Sequence, residues 1–555
     1  MNQPPYGVQN ELASQSRWER HCESWLEAHF ILCAVLVLAA GCLLRLRAAS
    51  WTFLNPDEAL HYLLANQSSW QLAYRASLTN AHPPLLTFVL YFWRGAGDSE
   101  FVLRLPSVIA GTAFCWIVFK WLTRIFGRTT GFVGLMLVSF LPPMIGLAAE
   151  VRQYALLLFF LASSAYWLER ALAENSAGMM LASALFLCLA MLAHYSAILF
   201  AGAMGVYSLL RLITHRPAVK VGAAWALGQA GDLAVFTFLY LTHISKLKGD
   251  YATGTINGWL ANSFFRPGHD NPVLFVFART GGVFQYVFGQ LAVGDVAFAA
   301  FIAGVVLLWR VQPAGSNVAG WQLGTLLVLP FVAGAGTSLA RIYPYGGTRH
   351  SAFLIIFAVA GVSFILARLV KQRVGRGVVI AVLVIAVCAA FGKPHRPYML
   401  PEDQSRMQMI RAMEFARSQI PQSDLIFVDY QTRLLLAQYL CPEQPMLFST
   451  SVTNLEDFQC SGYRIVATGS ELYTFTAENF PHWRDELLRL YPLKPDESVW
   501  MVQAGWEVYL AHDLQAKFTQ FRDLNPQSFG RNITIFKLTV GQPIPGMPRS
   551  PIELP

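Results

Sequence analysis

The feature that most constrains this chain is a series of long apolar runs between residues 29 and 391. A helix crossing a bilayer needs about 20 mostly apolar residues, because it must satisfy its own backbone amides over roughly 30 Å of hydrocarbon. Runs of that kind lie near residues 29–46, 102–120, 130–149, 153–168, 177–194, 197–213, 221–241, 291–310, 320–340, 351–369 and 376–391. Any one of them reads equally well as a buried helix of a water-soluble protein; so many in series do not. Only 13% of the residues are charged, against about 25% in soluble domains. The 555 residues also exceed the roughly 250–300 at which a single hydrophobic core stops growing. The expected architecture is an α-helical polytopic membrane protein of about eleven spans.

Orientation follows from the basic residues. With the N-terminus inside, the inner connections carry Lys120, Arg124 and Arg128, then Arg170, then Arg211, Arg216 and Lys220, then Arg310, and finally Arg368, Lys371, Arg373 and Arg376. Such an excess marks the cytoplasmic face; Arg45, Arg47 and Arg349 stand as exceptions. An odd number of spans places residues 50–100, 242–290 and everything after 392 outside. Residues 1–28 have neither a basic n-region nor a cleavage site before the first apolar run, and read as a cytoplasmic tail. The expected division is therefore a tail over 1–28, a transmembrane domain over 29–392 with outer loops 50–100 and 242–290, and an outer domain over 393–555. The net charge of +8 fits inner-loop bias and affinity for anionic membrane lipids. No zinc-finger spacing, glycine-rich phosphate loop or interleaved basic and aromatic patch points to nucleic acid.

Beyond Phe391 the pattern changes. The segment from Gly392 to Ile420 has helical periodicity, with Met407, Ile410, Met413, Phe415 and Ile420 as docking residues. SDLIFVDY, YRIVATG and NITIFKLTV read as strands, LLLAQYL and ENFPHWRDELLRL as helices. That alternation predicts a small α/β domain of about 150 residues, ending in a proline-rich tail. Cys441 and Cys460 both fall in it, where a disulfide is permitted but not established by spacing. The loop 242–290 holds Gly254, Gly258 and the aromatic residues Trp259, Phe264 and Phe265, which suit either a mobile cover or an inert interfacial loop.

The polar residues with chemical potential gather on the predicted outer side. Asp57 and Glu58, with His61 one helical turn on, offer a proton acceptor and a second carboxylate, a pair that also admits a divalent metal. The plain reading of the same residues is a helix start at Asn55-Pro56 with acidic residues at its positive end. Glu150, Arg152 and Tyr154 occupy an outer turn, where Arg152 either neutralises a phosphate or pairs with Glu150. His82 precedes Pro83 and Pro84. RIYPYGGTRH contributes Arg341, Tyr343, Tyr345, Arg349 and His350, its glycine pair permitting a sharp bend and its last two residues suiting a phosphate at headgroup depth.

The ordered set PDEALHY, AHPPL, EFVLRLPSVIAGTAF, FGRTTG and AEVRQYAL closely resembles the GT-C membrane glycosyltransferases, the group of protein O-mannosyltransferases, lipid A aminoarabinose transferases and related polyprenyl-phosphate-sugar enzymes. The likeness is specific over residues 50–160 and looser through His350. It implies a GT-C fold in a bacterial plasma (inner) membrane, with a polyprenyl-phosphate-linked sugar as donor and a lipid, glycan or protein hydroxyl as acceptor. By the same resemblance Asp57 is the catalytic base of an inverting transfer, with Glu58 beside it as support or metal-associated group. His82, Arg152, Arg349 and His350 fall to the donor phosphate; His61, Glu150, Tyr154 and Tyr345 to acceptor or support. His82 stands where the aminoarabinose transferases carry Lys, which argues against that sugar. The outer domain lacks the β-trefoil pattern of eukaryotic protein mannosyltransferases, which argues against protein as favoured acceptor. A multi-span transporter or a non-catalytic envelope-assembly protein is the alternative, although no internal repeat supports a transporter.

Overall fold

Every one of the predicted apolar runs is helical in the computed structural model, which describes residues 17–247, 258, 260–313, 317–392, 404–442, 446, 455–469, 474–491, 493–494 and 497–540. Gly254, Trp259 and the proline-rich end lie outside the described residues. Among the described residues eight helices are individually long and apolar enough to span: Phe30–Trp51, Glu100–Phe126, Tyr154–Ala173, Ser196–His215, Leu291–Arg310, Gly320–Leu339, Arg349–Leu369 and Val374–Phe391. A ninth is obtained if the bent pair Arg128–Phe140 and Pro142–Ala148 counts as one span. Ala177–Ala193 (17 residues) and Val219–Thr242 complete the expected set. Two further apolar helices, Leu85–Trp93 and Pro272–Phe288, arise inside the two long segments 50–100 and 242–290. Large apolar side chains such as Leu43, Val219 and Leu227 stand exposed on the bundle, as a surface in contact with hydrocarbon requires. The protein is a multi-pass membrane protein.

The bend in the ninth span explains one exception to the charge bias. Pro142 and Pro143 carry no amide hydrogen, so the carbonyls of Val138 and Ser139 lose their i+4 donors. Arg45, only 1% exposed inside the first span, supplies both: Nη2 donates to the Val138 carbonyl at 2.7 Å and Nη1 to that of Ser139 at 3.0 Å. The two halves meet at 64°. The short half then lies against the second span, where Gly111 leaves no room for a side chain: a Cβ there would sit 2.3 Å from that of Ala148. This close approach brings residues 150–154 over the start of the second span.

The helix Pro56–Ala65 begins as its sequence dictates. The Asn55 side chain accepts from the Glu58 amide, the Glu58 carboxylate accepts from the Asn55 amide, and Pro56 occupies the first turn.

After the helix Arg406–Gln419 comes a mixed six-stranded sheet in the order β2-β3-β1-β4-β6-β5. The strands are β1 Leu425–Val428, β2 Glu456–Cys460, β3 Tyr463–Ala467, β4 Ser498–Ala504, β5 Gln527–Ser528 and β6 Ile533–Thr539. β1 pairs in parallel with β3 and β4; β2, β5 and β6 add antiparallel edges. The helix before the sheet buries Met409, Ala412, Met413 and Ala416 and is followed by buried Ile420, with Phe415 packed on the same core; of the expected docking residues only Met407 is exposed. One sheet face and the segment between the first two spans share a single core, in which Phe53, Leu54 and Leu63 pack with Leu434, Leu435 and Val502. Polar bonds reinforce it: the Leu54 amide donates to Tyr439 Oη at 2.7 Å, Tyr439 Oη donates to Glu100 at 3.0 Å, and Gln404 donates to the Phe53 carbonyl at 2.7 Å. Cys441 and Cys460 are disulfide-bonded.

Candidate active site

Asp57 is the meeting point of two arginines from distant segments. Arg152 Nη1 lies 2.8 Å and Arg349 Nη2 2.5 Å from the same oxygen, Oδ2. Burial alone would raise the Asp57 carboxyl, but Arg152 and Arg349 outweigh it and hold it at about 2. Arg349 is delivered by the glycine pair before it: a Cβ on Gly347 would lie 2.6 Å from the Gly282 carbonyl oxygen, so the loop presses directly onto the helix Pro272–Phe288. Arg152 is delivered by the turn after the bent span, where Ser107 donates to its carbonyl.

Glu58 faces away from this cluster. Its Oε1 accepts from Arg104 Nε at 2.7 Å and from the Val151 amide at 2.8 Å; its Oε2 accepts from Arg104 Nη2 at 2.7 Å and from the Asn55 amide at 3.0 Å. Those four bonds fill the lone-pair directions of a carboxylate. Arg104 spends its remaining N–H groups on the carbonyls of Ala49, Thr52 and Phe53, which end the first span. Glu58 is thus a structural node that braces the start of the helix carrying Asp57. A divalent cation at Asp57 and Glu58 does not fit this arrangement, since one carboxylate is engaged by two guanidiniums and the other is saturated. Among the described residues no group of three His, Cys, Asp or Glu is placed to hold a metal.

Four histidines line up beside the arginines. Ring centroids are separated by 5.6 Å from His61 to His82, 5.5 Å from His82 to His194, and 6.5 Å from His194 to His350. Burial, reinforced by neighbouring positive charge including Arg152, holds His61, His82 and His194 neutral, with His194 lowered to about 3. Tyr154 is fully buried with its ring 5.2 Å from that of His194. Glu150 lies in the same electrostatic neighbourhood; burial and then Glu58 push its carboxyl up to about 7. Tyr345 is the residue that the structure draws elsewhere, bonded through its hydroxyl to Thr280 at 2.6 Å and packed on Gly334.

Two members escaped the sequence reading. Arg104 lies inside a quoted motif, and an arginine a few residues into an apolar span was the signal for a buried partner. His194 ends an apolar run just before Tyr195-Ser196, with nothing local to separate it from an interfacial residue.

Residues 81–240 match the family model described as dolichyl-phosphate-mannose-protein mannosyltransferase. The crystal structure of ArnT from Cupriavidus metallidurans in the apo state is similar over 92% of this chain and 98% of that one, with TM-score 0.51 and 14% identity. This chain adopts the GT-C glycosyltransferase fold. ArnT bound to undecaprenyl phosphate matches the same GT-C architecture with TM-score 0.51 and 12% identity, over 92% and 99% of the two chains. The oligosaccharyltransferase of Archaeoglobus fulgidus is more distant, at TM-score 0.47 and 10% identity over 87% of this chain and 70% of that one. No curated protein matches the chain by sequence.

Proposed function

We propose that this protein transfers a sugar from a polyprenyl-phosphate carrier to a hydroxyl of a lipid, glycan or protein acceptor at the outer face of a bacterial plasma membrane. The observation that carries this reading is the convergence of Arg152 and Arg349 on one oxygen of Asp57. Two guanidiniums aimed at one anionic position suit a phosphate as well as a carboxylate. ArnT, which shares the fold, has been crystallised with undecaprenyl phosphate, and the matched family is described by a dolichyl-phosphate donor.

The donor phosphate takes over the two guanidiniums, with His82 and His350 beside it. Asp57, released from them, regains the basicity of an ordinary carboxylate. It accepts the proton of the acceptor hydroxyl while that oxygen attacks the anomeric carbon. The bond from that carbon to the phosphate oxygen breaks, its electron pair leaves with polyprenyl phosphate, and Arg152 and Arg349 hold the charge. Attack from the side opposite the leaving group inverts the anomeric centre. Glu58 and Arg104 fix the helix that presents Asp57.

The Cys441–Cys460 bond supports an oxidising, extracytoplasmic setting for the sheet domain. Because that domain shares a core with the first outer loop, the site belongs on the same side. The test is transfer of labelled sugar from a polyprenyl-phosphate donor by the purified full chain. Asp57→Asn is expected to lower transfer by about 10²–10⁴-fold while retaining the unglycosylated carrier, and Arg349→Ala to weaken both. Undiminished transfer by Asp57→Asn would remove the assigned base, and failure with every carrier would remove the reading itself.

A further inference from the structure

We infer that the sheet domain takes part in placing the base: the turn Ala504–Trp506 is the stop against which the helix Pro56–Ala65 is seated, and Gly505 is a positioning residue for Asp57. The inference rests on the role given to Asp57 above and extends it to the residues that hold that carboxylate in place.

The turn follows β4, which runs parallel beside β1. From β1 the chain passes to β3 on one side and then to β4 on the other, so β1 stands where the sheet reverses its direction of winding. In open α/β sheets the crevice beyond the carboxyl ends of such strands is where ligands bind. Here it receives a piece of the same chain. A Cβ on Gly505 would lie 2.8 Å from Pro56 Cγ and 2.7 Å from Gln431 Oε1, so only a glycine lets the turn come this close to the residue before Asp57. Its φ of +119° is a second reason for glycine.

Each backbone amide and carbonyl of the turn is bonded. Thr432 Oγ1 accepts from the Ala504 amide at 2.9 Å and donates to the Ala504 carbonyl at 3.2 Å. The Gly505 amide donates to the Asn532 carbonyl at 3.0 Å, and Asn532 Nδ2 donates to the Gly505 carbonyl at 2.9 Å. The fully buried Gln431 side chain accepts from the Trp506 amide at 2.9 Å and donates to the Trp506 carbonyl at 2.6 Å. Gln431 and Thr432 open the helix Tyr430–Tyr439, whose start is fixed in turn by buried Asp429, accepting from the amides of Thr432 and Phe475 at 3.0 Å each. A turn held from so many directions is a firm stop.

Asp57 therefore sits between two anchored neighbours. Pro56, buried and with its φ fixed by the ring, bears on the turn. Glu58 is bound to Arg104 and to the Val151 amide on the side of the spans. One anchor belongs to the sheet domain and the other to the membrane domain, so the docking of the two sets where the carboxylate stands. A reacting group must be held to within about 0.5 Å, and a displacement of about 1 Å costs on the order of 10²-fold in rate.

The experiment measures transfer from the labelled polyprenyl-phosphate donor by the detergent-solubilised full chain carrying Gly505→Ala, Pro56→Ala or both. Gly505→Ala is expected to lower kcat by about ten- to a hundred-fold, with donor KM and inhibition by unglycosylated polyprenyl phosphate within about two-fold of the parent. Adding Pro56→Ala removes the ring carbon that the new methyl group would strike, and is expected to recover part of that kcat although the backbone strain at residue 505 remains. Gly462→Ala is the control. It puts a methyl group at a φ of +88° in the same domain, against the Gln422 side chain, and is expected to cost comparable thermal stability with kcat unchanged. Pro56→Ala alone reads the contact even where Gly505→Ala does not fold, and is expected to lower kcat by about three-fold or more at unchanged KM. A kcat loss no greater in Gly505→Ala than in Gly462→Ala, an unchanged kcat in Pro56→Ala, or no recovery in the double variant overturns this inference alone. Undiminished transfer by Asp57→Asn, or failure of the parent with every carrier, removes the base or the function proposed above and this inference with it.

Discussion

At the residue scale, two carboxyl groups of one site are driven in opposite directions. Asp57 is held at about 2 by its arginines, so its pairing stabilises the fold above the ordinary value of 3.8 and is lost only as pH falls through about 2. Glu150 is raised from 4.5 to about 7, so the folded state is favoured below 4.5 and loses that advantage as pH rises through about 7. Glu150→Gln is therefore expected to flatten the decline in thermal stability between those limits and to raise the melting temperature at pH 8, read by unfolding in detergent. A slope identical to the parent's would show that Glu150 ionises freely. Asp57, Arg152 and Arg349 were legible from residue type and predicted side, because an acidic and two basic groups at one face of a membrane have few plain uses. Tyr345 was not, since its contact with Thr280 depends on a helix within a loop that showed no clear period.

At the element scale, the Glu58–Arg104 pair joins the end of the first span, the start of Pro56–Ala65 and the backbone at Val151. Both side chains are about 1% exposed. Removing one partner of a buried pair leaves an unpaired charge and costs about 3–5 kcal/mol; Arg104→Ala is expected to fall in that range by denaturant or thermal unfolding. Loss of under about 1 kcal/mol, the worth of an exposed pair, would contradict the geometry. The helix start at Asn55-Pro56 was fully legible, and Glu58 proves to belong to that plain reading rather than to the chemistry. Its partner lies 46 residues away, beyond any local pattern. β2, EDFQC, was missed because an edge strand with alternating exposure has few apolar residues to reveal it. The sequence reading took residues 130–149 as one run; the break at Pro142-Pro143 comes from the structure, where Arg45 braces it.

At the scale of the whole molecule, the sheet domain is bound to the active-site loop by a shared core and locked near its edge by Cys441–Cys460. The bridge closes a loop with a sequence separation of 19, for which chain entropy gives about 3 kcal/mol. Replacing both cysteines by serine is expected to lower the stability of the sheet domain by about that amount, seen as earlier proteolysis of residues beyond 404, with the spans intact. Arg45 adds a constraint of timing. Its acceptor carbonyls lie 93 and 94 residues later in the chain, so during synthesis the first span enters the membrane before they exist. A lone arginine in a span costs about 2.5–3.5 kcal/mol at the helix centre, less toward its end, and that cost persists until the bent span arrives. Arg45→Leu is expected to insert more readily yet to leave the Ser139 carbonyl bare and that of Val138 with only the Cys115 thiol at 3.5 Å, with transfer impaired. An insertion assay on chains truncated before and after residue 148 would read the difference: the parent should gain membrane retention of its first span only in the longer chain. The arginine that braces the finished bend thus makes the first span a provisional one, completed by a segment not yet made when it begins to cross.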